Sequence, residues 1–122
     1  MAAVPVSDLA AMLAGMAPVL DERAWFFVQV EGALPADAFA LIREDEGTTA
    51  IVAGAGEGAG FARITLMVHS ALEGVGLTAA VSGALAGAGI ACNVVAGYHH
   101  DHLFVPWERR DEALAILQRL AL

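Results

Sequence analysis

Lysine is missing from this chain, and its six basic residues, all arginines, stand against fourteen carboxylates for a formal charge of −8 at pH 7. Nucleic acids and anionic membrane surfaces are bound through a basic footprint, so neither is expected as a partner. Cysteine occurs once, at Cys92. An internal disulfide is therefore excluded, and a reducing, cytoplasmic setting is expected. A basic segment ahead of the first apolar residues is also missing, and Asp8 interrupts them, so no signal peptide is expected. Charged residues are few, at 16 %, while hydrophobic ones make up 58 % of 122 residues, which excludes disorder and suits one compact body. The uncharged run Gly76–Tyr98 has the length of a membrane span, and Gly83 with Gly87 forms a small-residue pair. Its helical period stops at Gly89 and Asn93 interrupts it, so it reads as a helix followed by a strand.

What is present is a sequence of alternating periods. Ser7 is placed as a helix N-cap, with Leu9, Met12, Leu13 and Met16 on one stripe and Pro18 as the stop. Asp21–Arg23 reads as a polar turn, and residues 24–30 as a central strand apolar on both faces. Residues 39–44 and 48–53 form a hairpin around Asp45-Glu46-Gly47. Glycines crowd residues 54–60, but no helix follows them, no Gly-Lys-Ser/Thr occurs and Glu57 has the wrong charge for a phosphate loop, so this is a flexible link. Residues 63–69 alternate as a strand. The loop 70–76 leads to a helix on Leu77, Val81, Leu85 and Ala88, with Gly89 as a left-handed terminator. Ile90, Cys92, Val94 and Ala96 share one side of the next strand, Asn93 and Val95 the other. The corner 97–101 leads to a strand at 103–105, and a final helix starts in the charged segment 108–112, whose charges read as a solvated face.

The strand ending Val68-His69-Ser70, the joint Gly74-Val75-Gly76-Leu77-Thr78, the helix end Leu85–Ile90 and the strand Asn93-Val94-Val95 resemble the ACT domain family. The run from Cys92 to Pro106 is similar to small bacterial two-ACT proteins, and the arrangement to the ACT pairs of aspartate kinases and the cytosolic arginine sensor of the mTOR pathway. The resemblance implies an α+β, ferredoxin-like ACT fold, with two ACT-like halves at 1–60 and 61–122, antiparallel sheets and helices packed on one face. It implies regulation by a small molecule, typically a free amino acid, and a homodimer.

A strand-to-helix loop offers unpaired N–H groups and the positive end of a helix dipole, which suits a carboxylate, and Gly74 and Gly76 permit close approach. An ammonium needs an acceptor, for which Glu73, Asp101 and Asn93 are candidates. By resemblance the ligand site takes Ser70, Leu72, Glu73, Gly74, Val75, Gly76 and Leu77 from the loop, Asn93 and Val94 from the next strand, and Tyr98, His100 and Asp101 from the corner. The acidic hairpin 44–49 is expected to close it. His69, His99, His100, His102, Cys92 and Asp101 pose a metal-binding alternative, but their spacing matches no zinc pattern. Ser70 beside His69 is no catalytic pair, since neighbours on a strand point to opposite faces. No enzyme activity, cofactor or resident metal is expected. A structural dimerisation module without ligand is the other alternative.

Overall fold

The structure, a computed structural model, describes residues 8–54, 56–69, 71, 72 and 74–122. Its elements are α1 (Leu9–Ala14), β1 (Pro18–Gln29), β2 (Ala40–Glu44), β3 (Gly47–Ala53), β4 (Phe61–Leu66), α2 (Leu77–Gly87), β5 (Asn93–Ala96), β6 (Asp101–Pro106), a 3-10 turn (Trp107–Arg109) and α3 (Arg110–Leu120). All six strands join one antiparallel sheet in the order β2-β3-β1-β4-β6-β5. Among the described residues no helix is long and apolar enough to cross a membrane.

The element that organises the sheet is β1, which changes partners along its length. Pro18–Trp25 pairs with β4, and Trp25–Gln29 pairs with β3. Its register with β4 shifts between Leu20 and Ala24, where Asp21-Glu22-Arg23 was expected as a turn and is instead a bulge inside the strand. The reason lies in Asp21. Its carboxylate accepts hydrogen bonds from the Arg23 backbone N–H (3.0 Å), Arg23 Nε (3.1 Å) and Trp25 Nε1 (3.0 Å). Asp21 and Arg23 are satisfied where they stand, so the chain extends instead of reversing.

With that half of β1, the C-terminal elements complete a four-stranded set in the order β1-β4-β6-β5, with α2 and α3 on one face. This is the ferredoxin-like α+β arrangement, with its fourth strand supplied from the N-terminal part of the chain. The helix-covered face holds the main core. Ala62, Ile64 and Leu66 of β4 and Leu103 and Val105 of β6 meet Leu77, Val81 and Leu85 of α2, Ala113 and Leu117 of α3, and Met12 and Met16. Each fully buried aliphatic side chain contributes on the order of 1.5–3 kcal/mol.

The other face is concave and carries a second, aromatic core. Phe104, fully buried, touches Phe27 and Phe39 edge to face at centroid distances of 5.3 and 5.8 Å. Phe27 lies in β1 and Phe39 just ahead of β2, so the β2-β3-β1 side curls over the β4-β6-β5 side. The link at 54–60 is not simply a tether, since Gly56 and Gly60 lie directly against the Phe26 ring.

Smaller differences from the sequence reading have local causes. Ser7 lies outside the described residues; Asp8 is the N-cap of α1, its Oδ2 accepting from the Ala11 N–H at 3.0 Å. Arg109 donates to the Ala88 carbonyl (3.1 Å) at the C-terminal end of α2 and to Glu112 (2.8 Å), and Arg110 stacks on Trp107 at 3.8 Å. These charges tie α3 to its neighbours instead of only facing water. Cys92 is half-buried against the main core, and burial pushes its thiol pKa up.

Candidate ligand site

Between β4 and α2 the chain crosses from the sheet to the helix layer. Met67 donates to the Met16 carbonyl (2.8 Å), which pins the start of this crossing to the segment between α1 and β1. Its end is Gly76, in the left-handed region at φ 104°, where a β-carbon would also press on Leu9 at 3.1 Å. Gly76, at the N-cap of α2, has no side chain to cap the helix, and no acidic residue lies in its first turn, so its leading amides present the positive end of the helix to the cleft.

Asp101 reaches this place because of strand register. It sits opposite Leu66 of β4 and Ala96 of β5. Cross-strand partners share a face, so Asp101 points to the helix side together with Leu66, a core residue. There it lines a cleft of about 90 Å³ with Leu72, Gly74, Leu77 and Gly97, and with Met12 and Thr78. Gly97 closes the corner by donating to the His100 carbonyl at 2.9 Å. A β-carbon at Gly74 would stand 3.1 Å from the Ala71 carbonyl oxygen and 3.3 Å from Met12 Sδ, so glycine lets the loop lie against α1 without displacing either by a few tenths of an ångström.

Of the residues expected in the site, Leu72, Gly74, Leu77 and Asp101 meet in this cleft. Gly76 caps α2 beside it. Val75 and Tyr98 are largely exposed, at 81 % and 77 %. His100 stands in a row of rings, His69–His99 at 5.6 Å, Tyr98–His99 at 5.1 Å and His99–His100 at 6.3 Å. Ser70 and Glu73 lie outside the described residues. Asn93 and Val94 do not join the cleft within one chain. Asn93 pairs with Phe104, on the face opposite Asp101, and Val94 packs into the main core. The hairpin does not reach it either: Glu44, Glu46 and Thr49 border a separate depression beside Gln29. Met12 and Thr78 were not among the expected site residues; the methionine stripe of α1 reads equally well as core packing, and only the folded loop brings Gly74 onto it.

The concave face holds a second polar cluster that the periodicity of single strands does not reveal. The Arg63 guanidinium lies between the Trp25 and Phe39 rings, at 4.7 and 4.6 Å, with Nη2 3.4 Å from Asp21 Oδ1. Burial pushes the Arg63 pKa down, partly offset by Asp21. For Asp21, burial alone would raise the pKa, but the hydrogen bonds from Arg23 and Trp25 and the charge of Arg63 outweigh it and hold the carboxyl below its usual value. His102, hydrogen-bonded through Nδ1 to Thr65 Oγ1 at 2.9 Å, is held below its usual pKa by burial, then by Arg63 and His100. Among the described residues no group of three or more His, Cys, Asp or Glu side chains is placed to hold a metal.

Comparison with known proteins adds the following. Residues 62–119 match one family model described as an ACT domain, and residues 5–59 match another with the same description. No curated protein matches the chain. A crystal structure of a Vibrio cholerae protein of unknown function, described as a possible transport protein, is 41 % identical, with a TM-score of 0.81 over 93 % of this chain and 96 % of that one. An Agrobacterium tumefaciens protein shares the fold at 18 % identity, with a TM-score of 0.63 over 80 % of this chain and 81 % of its own.

Proposed function

The chain belongs to the ACT domain family, with two ACT-type units along its length, and from that premise we propose that it is a non-catalytic regulator that binds a free amino acid. ACT domains are in general regulatory modules for small molecules, not catalysts. The observation that carries the reading is the meeting of Asp101 with Gly74, Leu77 and Thr78 in one cleft at the start of α2, whose N-cap is Gly76. The helix amides suit the ligand's carboxylate and Asp101 suits its ammonium, a pairing of opposite charges that needs partial shelter from water.

The cleft is small for a whole amino acid, and apolar residues are exposed around it, with Leu72 at 67 %. A second copy of the chain closing over Leu72, Val75 and Tyr98 would enlarge and shelter the site, so the regulator is proposed to work as a homodimer. Ligand binding then biases one arrangement of the two copies over another, which is the whole of its regulatory action. The same exposed residues favour a second reading, a dimerisation module without a ligand.

A thermal-unfolding screen against the twenty amino acids tests both. A ligand at about a hundred times its dissociation constant adds about 2.7 kcal/mol, a shift of several degrees in a chain of this size. The regulator reading expects a selective shift that Asp101→Ala removes. Stability that rises with protein concentration and ignores every amino acid would establish the dimerisation module instead.

A further inference from the structure

The exchange of partners along β1 leaves part of that strand unpaired on one side. Val30 donates to the Thr48 carbonyl (2.9 Å) and Gly54 donates to the Ala24 carbonyl (3.2 Å), so the even-numbered residues of this stretch turn their backbone groups toward β3. Phe27 and Gln29 therefore turn theirs the other way, toward the line of β4. Pairing with β4 ends at Trp25 and Phe61, and among the described residues no backbone group takes its place.

A cleft of about 500 Å³ opens along this edge. The rings of Phe27 and Phe61, 5.4 Å apart and edge to face, form its apolar wall, and Gln29 and Glu57 give it polar groups. Among the described residues, Glu57 is its one charged lining residue. The glycine-rich link makes the cleft. At Gly60, with φ 76°, a β-carbon would meet the Trp25 carbonyl at 2.8 Å and the Phe26 ring at 2.9 Å, so the link hugs Phe26 only because side chains are absent there, and Glu57 is carried to the rim.

We infer that this cleft is a second small-molecule site, separate from the Asp101 cleft, for a free α-amino acid with an apolar side chain. Its volume lies within the range of small-molecule sites. The open edge offers an N–H and a C=O from the same residue, which is the pairing that a neighbouring strand would use. An amino acid presents the complement: its carboxylate accepts from the Phe27 or Gln29 N–H, and its ammonium donates to the carbonyl beside it and to Glu57. An apolar side chain then lies on Phe27 and Phe61, where a second carboxylate would be repelled by Glu57.

The test is an amide chemical-shift titration of the isotope-labelled protein with L-phenylalanine, L-leucine and, as control, N-acetyl-L-phenylalanine. At least one free amino acid is expected to move the Phe27, Gln29 and Gly60 amides saturably, while the acetylated compound, which lacks the ammonium, leaves them in place. Glu57→Gln is expected to weaken the response about tenfold, the loss of one charge-assisted contact. Asp101→Ala should leave it unchanged. If neither free amino acid moves these amides, or if Glu57→Gln binds as the parent does, the second site does not exist. Shifts confined to Thr78 and Gly97 would sink this inference and leave the Asp101 site standing; shifts confined to β1 would establish the second site and leave the Asp101 cleft to the screen of all twenty amino acids.

Discussion

Arg63 and Asp21 meet at 3.4 Å inside the concave face of the sheet, with both side chains 17 % exposed, and the contact joins the bulge of β1 to the middle of β4. Arg63 Nε is buried without a hydrogen-bond partner among the described residues, and Asp21 is the counter-charge to a guanidinium that the Trp25 and Phe39 rings already shield from water. Asp21→Ala leaves that charge unpaired and is expected to cost about 2–4 kcal/mol in urea unfolding. Replacing both residues, Asp21→Ala with Arg63→Met, is expected to cost less than Asp21→Ala alone. If the two single losses simply add in the double variant, the pair is not energetically coupled.

Acid sensitivity follows from the same carboxylate. Its folded pKa lies below the ordinary 3.8, so the stability it supplies is fully present above that value and is lost as pH falls through the folded value. Asp21→Asn is expected to flatten the stability profile below pH 4 relative to the parent, measured as urea midpoints.

His102 acts in the same direction at higher pH. Its folded pKa lies below the ordinary 6.5, so the unfolded chain binds more protons than the folded one between the two values. Stability supplied by neutral His102 is present above pH 6.5 and falls as the solution is acidified through that window. His102→Gln, which keeps a polar partner for Thr65, should remove this slope. An unchanged slope would show that His102 is not its origin.

The elements that rest on local pattern were legible in the sequence. The hairpin, the helix from Leu77 and its end at Gly89, with φ 73°, depend on turn chemistry and side-chain period. Family resemblance grouped the loop 72–77 with Asp101, and the structure brings Leu72, Gly74, Leu77 and Asp101 to one cleft. What was not legible depends on groups far apart in sequence. Asp21-Glu22-Arg23 has the composition of a turn, and it remains in a strand because Trp25 and Arg63 satisfy the Asp21 carboxylate. The Arg63 cluster exists only because the sheet curls until Phe39 meets Phe104. The absence of Asn93 from the Asp101 cleft is a matter of parity: Asn93 is three residues from Ala96, the partner of Asp101, and an odd step along a strand reverses the face.

Gly76→Ala tests how far the site loop depends on backbone conformation. The left-handed φ of 104° and the contact with Leu9 are both unfavourable for a side chain, and a loss of about 1–2 kcal/mol is expected. The same variant should weaken amino-acid binding at the Asp101 cleft, since the leading amides of α2 are then displaced. Normal binding with reduced stability would separate the two effects and assign Gly76 to folding alone.

The shared strand makes a final prediction about the two halves. Residues 61–122 contain β4, α2, β5, β6 and α3 but lack Pro18–Trp25, so their sheet would present the edge of β4, with Ile64 and Leu66 beside it, to water. That fragment is expected to give no cooperative thermal transition on its own. A rearranged chain that carries residues 18–29 after residue 122, through a flexible linker, restores the order β1-β4-β6-β5 and is expected to unfold in a single transition. Circular dichroism with temperature decides it: a cooperative transition in 61–122 alone would mean that the core of α2 and α3 on three strands suffices, and that β1 is shared for a reason other than stability.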